Sequence, residues 1–181
     1  MHEDGGGSMS VCVFPGSFDP ITRGHMDLIQ RAAGLFDSVT VTVMVNISKK
    51  PCIPLENRIA MIRKACTGIP NVEVDLWEGL LADYMKNHPG WFVVRGVRNA
   101  SEFEQEKTAA AINRQLYPGM ETFLLPSDEE LDCVSSSMVR EIAGFGGDYS
   151  RFVPDGLYEE IGKWLNHGKA ENIRKIREGG K

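Results

Sequence analysis

The chain has 181 residues, of which 42% are hydrophobic and 25% charged, and this composition predicts one globular domain with one core. Its formal net charge of −5 argues against nucleic acid as a partner, because phosphate backbones are bound by accumulated lysine and arginine. No apolar run reaches the roughly 20 residues of a membrane helix, so a membrane partner is not predicted either.

Four cysteines are spread singly along the sequence: Cys12, Cys52, Cys66 and Cys133. None shares a C-x-x-C spacing, which argues against a zinc site and a disulfide framework. They predict reduced thiols in or near the core. Because the N-terminus also lacks the pattern of a secretion signal, we expect a cytoplasmic protein.

The two ends differ in composition from the rest. Residues 1–8 are polar and glycine-rich and predict a flexible extension. Residues 9–166 are expected to form the single domain, and residues 167–181 a charged helix or tail.

Apolar runs and helical periodicity then alternate along the chain. The runs predict five strands, which begin at Val11, Val39, Val72, Trp91 and Glu121. Apolar residues at helical spacing predict helices at 24–36, 55–67, 79–87, 101–116, from 135 onward, 155–166 and 169–178. This alternation predicts an α/β fold, a Rossmann-like doubly wound parallel sheet in the order 3-2-1-4-5, followed by C-terminal helices.

Hydrogen-bond donors and cations follow four of the predicted strands. The set comprises Ser17, His25, Lys49, Arg95, Arg98, Ser135, Ser136 and Ser137. Because ligands of such sheets bind beyond the carboxyl ends of the strands, we expect these side chains to converge on one crevice. Arg95 and Arg98 directly follow a buried strand, where an unpaired charge is costly, and this predicts an anionic ligand. The set suits phosphoryl groups.

Several phosphate-binding and hydrolytic motifs are absent. The chain has no G-x-x-x-x-G-K-[ST] loop and no G-x-G-x-x-G after its first strand. A serine hydrolase is disfavoured, because Ser17 is not in a G-x-S-x-G turn and no acid is placed to orient His25. The contiguous acids Asp128, Glu129 and Glu130 suit a solvated loop better than a metal site, so no resident metal is predicted.

A resemblance arises from residues 22–25, Thr-Arg-Gly-His, which match the (T/H)-x-G-H signature of a nucleotidyltransferase superfamily. Together with the segments 15–25, 48–51, 95–98, 103–106, 113–114 and 135–140, the chain resembles bacterial phosphopantetheine adenylyltransferases. The motifs stand in the family's order and spacing from about residue 11 to residue 165.

The resemblance implies reversible transfer of AMP from ATP to 4′-phosphopantetheine, giving dephospho-coenzyme A and pyrophosphate without a covalent intermediate. It implies catalytic roles for His25, Lys49 and Arg98. Phosphopantetheine would contact Ser17, Lys49, Leu80, Leu81 and Arg95. ATP would contact Ser17, Phe18, His25, Gly96, Val97, Arg98, Glu106, Leu131, Asp132, Cys133, Val134, Ser135, Ser136 and Ser137. The resemblance also implies a hexamer and feedback binding of coenzyme A, with Mg²⁺ arriving on ATP.

Three positions depart from the family pattern. Ser17 stands where a threonine is usual and keeps the hydroxyl, and Gln105 stands where a tyrosine is usual. The loop 127–134 is one residue longer than common forms and lacks their aromatic residues. Two alternatives remain open: a sister enzyme acting on another acceptor, such as a nicotinate mononucleotide adenylyltransferase or a glycerol-phosphate cytidylyltransferase, and a non-catalytic nucleotide-binding module.

Overall fold

The computed structural model describes residues 9–45 and 50–165. Lys49, the extension at residues 1–8, Asn166 and the predicted tail with its helix at 169–178 lie outside the described residues. Within the described ranges, no helix is both long and apolar enough to cross a membrane.

Five strands alternate with helices along the chain. The strands are β1 (Val11–Gly16), β2 (Ser38–Met44), β3 (Val72–Trp77), β4 (Phe92–Val97) and β5 (Glu121–Pro126). The helices are α1 (Arg23–Leu35), α2 (Leu55–Ala65), α3 (Leu81–Lys86), α4 (Ala100–Leu116), α5 (Ser136–Gly144) and α6 (Tyr158–Leu165).

The strands form one parallel sheet in the order β3-β2-β1-β4-β5, so the predicted fold class and strand order are confirmed. β1 pairs with β2 along its whole length, but it pairs with β4 only through Cys12 with Phe92 and Val13 with Val93. Beyond these pairs β1 and β4 separate. The separation opens a crevice at the topological switch point, where such folds bind ligands.

The core covers the central strands β1 and β2, whose residues are apolar or glycine except for Ser38, Thr40 and Thr42 of β2. Both faces of β1 and β2 are covered, and Val13, Val39 and Val41 are fully buried. α1 is amphipathic and buries Leu28 and Ile29 among the residues that it packs on the sheet. Burial of each such side chain contributes about 1.5 to 3 kcal/mol to folding.

Several predicted boundaries are corrected by the structure. β4 continues to Val97, so Arg95 and Gly96 belong to the strand and do not follow it. α4 begins at Ala100 because Asn99 accepts from the backbone N–H of Glu102 and caps the helix. α3 is shorter than predicted, and a 3-10 turn at Glu129–Leu131 interrupts the acidic loop.

The cysteine prediction holds only for two of the four side chains. All four are free thiols, and Cys12 and Cys66 are buried. Cys52 and Cys133 are exposed, so placing them in or near the core was wrong. Both lie in loops, where a neighbouring apolar residue does not imply burial.

Candidate active site

Two cavities adjoin at the carboxyl end of β1. The first cavity, of about 290 Å³, lies between β1, the start of α1, β4 and the start of α5. The second cavity, of about 350 Å³, lies between β1, α3 and α4. They share a wall of five residues: Pro15, Gly16, Ser17, Arg95 and Glu106. Molecules bound in the two cavities would therefore both contact these five residues.

The end of β1 and the turn between β1 and α1 are held by four side chains, which come from β4, α2 and α5. Each donates to a backbone carbonyl oxygen of the turn: Arg95 to Pro15 (2.6 Å), Arg58 to Ser17 (2.6 Å), Arg140 to Asp19 (2.5 Å) and Ser136 to Pro20 (2.7 Å). These donors satisfy carbonyls that a loop leaves without ladder partners, and they fix the path of the turn.

The carboxylate of Asp19 ties the same turn to the loop before α2. It accepts from the backbone N–H groups of Cys52 at 2.9 Å and Ile53 at 2.8 Å. Asp19 itself is buried. A buried carboxylate that accepts two amides is well compensated, so its part in the structure is to hold the turn.

Phe18 has the left-handed φ of +46°, which is uncommon for a residue other than glycine. Its ring is buried beneath Gly16, where a Cβ atom would come within 2.9 Å of the ring, and meets the edge of the His25 ring at a centroid distance of 5.1 Å. The turn therefore positions His25 through the Phe18 ring as well as through its backbone.

His25 occupies the third position of α1 and forms a reciprocal cap with Thr22. The backbone N–H of Thr22 donates to Nδ1 of His25 at 3.1 Å, and the Thr22 hydroxyl accepts from the backbone N–H of His25 at 3.3 Å. Burial, with the charges of Arg95 and Arg98, lowers the pKa of His25 to about 4. The imidazole is thus neutral at pH 7, with its proton on Nε2.

Arg95 and Arg98 each have a carboxylate partner within the chain, which the sequence did not predict. Glu106 accepts from Nε of Arg95 at 2.9 Å and from its Nη2 at 2.6 Å. Glu102 likewise accepts hydrogen bonds from Nε and Nη2 of Arg98 and from its backbone N–H. These hydrogen bonds raise the pKa of Arg98 and lower the pKa of Glu102. An anion in the first cavity would share these guanidinium groups with the carboxylates.

The three serines at the start of α5 have different partners. Ser135 caps the helix by accepting from the backbone N–H of Met138. Ser136 donates to the turn carbonyl described above, and Ser137 accepts from Arg140 at 3.1 Å. Arg98 reaches the same segment by donating to the carbonyl of Val134 at 3.4 Å.

Most of the predicted site residues line the two cavities. Those in the wall of the first cavity are Ser17, Phe18, His25, Arg95, Gly96, Arg98, Glu106, Leu131, Val134, Ser135 and Ser136. Leu81 lines the second cavity. Val97, Asp132, Cys133, Ser137 and Leu80 line neither, and Lys49 lies outside the described residues.

Five residues that hold the site together were not predicted as site residues: Asp19, Thr22, Arg58, Glu102 and Arg140. A signal existed for Glu102, which stands four residues after Arg98 near a helix start. Arg58 stands four residues before Ile62, on the buried face of α2, but a charged residue there gave no reason to expect burial. The contact of Thr22 with His25 required the cap geometry.

A model of the cytidylyltransferase-like family matches residues 13–142. The phosphopantetheine adenylyltransferase of Dictyoglomus turgidum is 48% identical over 153 residues, which cover 84% of this chain and 96% of that protein. That of Heliobacterium modesticaldum is 46% identical over 149 residues, or 82% of this chain and 89% of that protein. The chain belongs to the phosphopantetheine adenylyltransferase family. The resemblance predicted from the motifs is confirmed, and the chain is an enzyme of the nucleotidyltransferase class.

Solved structures share the fold at much lower sequence identity. A bifunctional NMN adenylyltransferase/ADP ribose pyrophosphatase from Francisella tularensis has a TM-score of 0.69 at 15% identity and covers 94% of this chain, which spans 55% of that protein. A nicotinic acid mononucleotide adenylyltransferase from Plasmodium falciparum has a TM-score of 0.60 at 15% identity, covering 85% of this chain and 94% of that one. These likenesses support the fold alone.

Proposed function

We propose that this member of the phosphopantetheine adenylyltransferase family transfers AMP from ATP to 4′-phosphopantetheine, giving dephospho-coenzyme A and pyrophosphate. The observation that carries the proposal is the shared wall, in which Ser17 and Arg95 stand between a cavity suited to each substrate. ATP would occupy the first cavity and phosphopantetheine the second. Their reacting phosphates would then meet beside Ser17.

The reaction requires neither proton abstraction nor a covalent intermediate from the protein. The acceptor phosphate is already an anion at pH 7, so its attack on the α-phosphorus of ATP needs no general base and no covalent intermediate. The difficulty lies in bringing two polyanions together in line. Catalysis then depends on positioning and on stabilising the charge that moves toward the leaving pyrophosphate.

His25 would donate from Nε2 to an α-phosphoryl oxygen. Because Nδ1 already accepts from Thr22, the donor atom is fixed without any change of protonation. A neutral donor with a pKa of about 4 stays in one form across the physiological pH range. One such preorganised donor contributes about 3 to 4 kcal/mol of transition-state stabilisation.

The positively charged side chains would bind different phosphate groups of the two substrates. Arg95 would hold the phosphopantetheine phosphate with Ser17, while Arg98 would bind the ATP phosphates. Both would keep their carboxylate partners as orienting groups, because each guanidinium has more donors than one carboxylate uses. Lys49 is proposed as a third cation from the sequence motif alone.

The remaining contacts follow the first cavity wall. ATP would lie against the backbone of Phe18 and Gly96, the carboxylate of Glu106 and the segment 131–137. Val97, Asp132, Cys133 and Ser137 line neither cavity, and they are proposed as ATP contacts from the family resemblance alone. Leu81 would contact the pantetheine arm in the second cavity. Among the described residues no cluster of three or more His, Cys, Asp or Glu side chains could hold a metal ion. Mg²⁺ is proposed from the family resemblance to arrive as part of the substrate, MgATP.

Self-association is part of the proposal. α4 buries no residue in the single chain, and its Ile112 and Leu116, one turn apart, are 54% and 45% exposed. Such a face suits contact with a second copy of the chain. We propose a homo-oligomer, a hexamer by family resemblance, with feedback binding of coenzyme A at the same site. The four free thiols suit the reducing cytoplasm.

The deciding assay follows pyrophosphate release from MgATP with 4′-phosphopantetheine as acceptor. Nicotinate mononucleotide and glycerol 3-phosphate serve as competing acceptors, and CTP serves as the competing nucleotide. We expect release with phosphopantetheine at least about a hundredfold faster than with the other acceptors. A preference for another acceptor would favour the sister enzymes. No pyrophosphate from any pair would favour a nucleotide-binding module.

A further inference from the structure

Arg58 is a buried charged side chain that the proposed chemistry does not use. It is 5% exposed on the inner face of α2, beside Met61 and Ile62. Within the described residues it forms no salt bridge, its Nε has no hydrogen-bond partner, and burial lowers its pKa. Burying a guanidinium with so little compensation is costly, so packing alone does not account for an arginine here.

The partner that Arg58 does have is the carbonyl oxygen of Ser17, to which Nη1 donates at 2.6 Å. The Asp19 carboxylate lies near enough for its charge to act on Arg58, but among the described residues the two form no salt bridge, and the Asp19 oxygens accept the amides of Cys52 and Ile53. A charge-assisted hydrogen bond to a neutral carbonyl is about twice as strong as an ordinary one. Arg58 therefore holds one peptide unit, Ser17–Phe18, against α2.

The orientation of this peptide unit also fixes the direction of the Phe18 N–H. In a planar trans peptide the C=O and N–H groups point in opposite directions, so a carbonyl drawn toward α2 turns the N–H of Phe18 away from it. Phe18 lines the first cavity, and in the described part of the chain no group accepts from its N–H. The free amide is thus a donor available to an anion in that cavity.

Backbone strain at Phe18 favours rotation of the same peptide unit. Phe18 adopts a left-handed φ of +46°, which is a strained backbone conformation for a residue with a side chain. Rotation of the Ser17–Phe18 plane would relieve this φ and turn the N–H away from the cavity. The hydrogen bond from Arg58 opposes that rotation.

We propose that Arg58 is a positioning residue for AMP transfer, which keeps the Phe18 N–H directed at the phosphate bound in the first cavity. This inference rests on the proposed function. Arg58 touches no substrate and acts only through the Ser17–Phe18 peptide. A purely structural residue in α2 would change stability without changing the direction of that amide.

The test compares Arg58→Met and Arg58→Lys with Met61→Ala, which removes buried volume one turn along the same face of α2. Melting temperatures come first, and Arg58→Gln replaces Arg58→Met if the latter is unfolded. At saturating MgATP and phosphopantetheine we expect Arg58→Met to lose about a hundredfold in kcat, since misplacement of a reacting group by about 1 Å costs that much. We expect Arg58→Lys to recover part of the loss and Met61→Ala to keep kcat within about twofold despite its lower melting temperature.

A second readout does not depend on turnover. In ¹⁵N-labelled protein, the Phe18 amide should shift downfield when MgATP is added to the wild type and to Met61→Ala, but not to Arg58→Met. Wild-type kcat in Arg58→Met, or an unchanged Phe18 response, would overturn the inference. If the wild type releases no pyrophosphate from any acceptor, the proposed function fails, and the amide response to MgATP alone decides the role of Arg58.

Discussion

The backbone N–H of Thr22 donates to Nδ1 of His25 at 3.1 Å and so orients the histidine, which lies three residues further along the chain. Because Nδ1 is an acceptor, the single proton of the neutral ring lies on Nε2. In many enzymes a carboxylate orients the active histidine and favours its protonated form. Here a backbone amide orients it, which suits a fixed donor and would not suit a base.

His25→Ala should lower kcat at least about a hundredfold, because it removes a donor preorganised toward the α-phosphoryl oxygen. Pyrophosphate release at saturating substrates measures this. The control is His88→Ala, which changes a histidine stacked between Tyr84 and Trp91 in a different part of the fold and should leave kcat within about twofold. Near-normal turnover in His25→Ala would remove the proposed role.

Stability should depend on pH through the same side chain. The pKa of His25 falls from its ordinary value of 6.5 to about 4 in the folded protein, so between these values the unfolded chain binds more protons. The contribution of neutral His25 is therefore complete above pH 6.5 and is lost as the pH falls toward 4. Urea denaturation from pH 7 to pH 4 should show the free energy of unfolding falling more in the wild type than in His25→Gln, by up to about 3 kcal/mol. Parallel pH profiles would mean that His25 titrates normally.

Arg95→Lys should raise the KM for phosphopantetheine about tenfold or more and change the KM for MgATP less. A lysine keeps the charge but cannot bind Glu106 through two nitrogens while also donating to the carbonyl of Pro15. Steady-state kinetics with each substrate varied in turn measure both constants. Arg114→Lys, in an exposed pair with Glu121, is the matched control and should change neither constant. Equal rises for both substrates would contradict the assignment of Arg95 to the acceptor.

Gly96→Ala should destabilise the protein by about 1 to 3 kcal/mol, because a Cβ atom at this position would lie 2.2 Å from Cδ1 of Leu28. Chemical denaturation measures the change. The double variant with Leu28→Ala should be less destabilised than the sum of the two single variants, since removing the leucine methyl groups makes room. Gly34→Ala, with nothing within 4 Å, is the control and should be neutral or stabilising by up to about 1 kcal/mol. Additive single effects would show that the cost of Gly96→Ala does not come from contact with Leu28.

Ile112→Asp should reduce the oligomer to smaller species. The substitution places a charge on the exposed apolar face of α4, where a second copy of the chain is proposed to pack. Analytical ultracentrifugation over a range of concentrations measures the effect. Met9→Asp changes a similarly exposed apolar residue away from α4 and should leave the mass unchanged. If both variants sediment like the wild type, the α4 face does not form the contact.

The amino-acid sequence alone predicted the strands, the helices and the family, because these depend on local periodicity and on motifs contiguous in the chain. It predicted the strand order from the usual order of such folds. It also predicted that Ser17 and Arg95 converge on one crevice, since the carboxyl ends of parallel strands meet at one edge. The resemblance assigned Ser17 and Glu106 to substrates, but it did not predict their contacts with other residues of the protein.

Only the tertiary structure decided how those residues are held. Glu106 pairs with Arg95 across 11 positions, and Arg58 donates to Ser17 across 41. Side-chain partners so far apart depend on how α2 and α4 pack on the sheet, and hydrophobic periodicity specifies which face of a helix is buried without specifying what a polar group on that face will meet. For the same reason the sequence predicted an anionic ligand beside Arg95 and Arg98 and did not predict the carboxylates that pair with them in the folded chain.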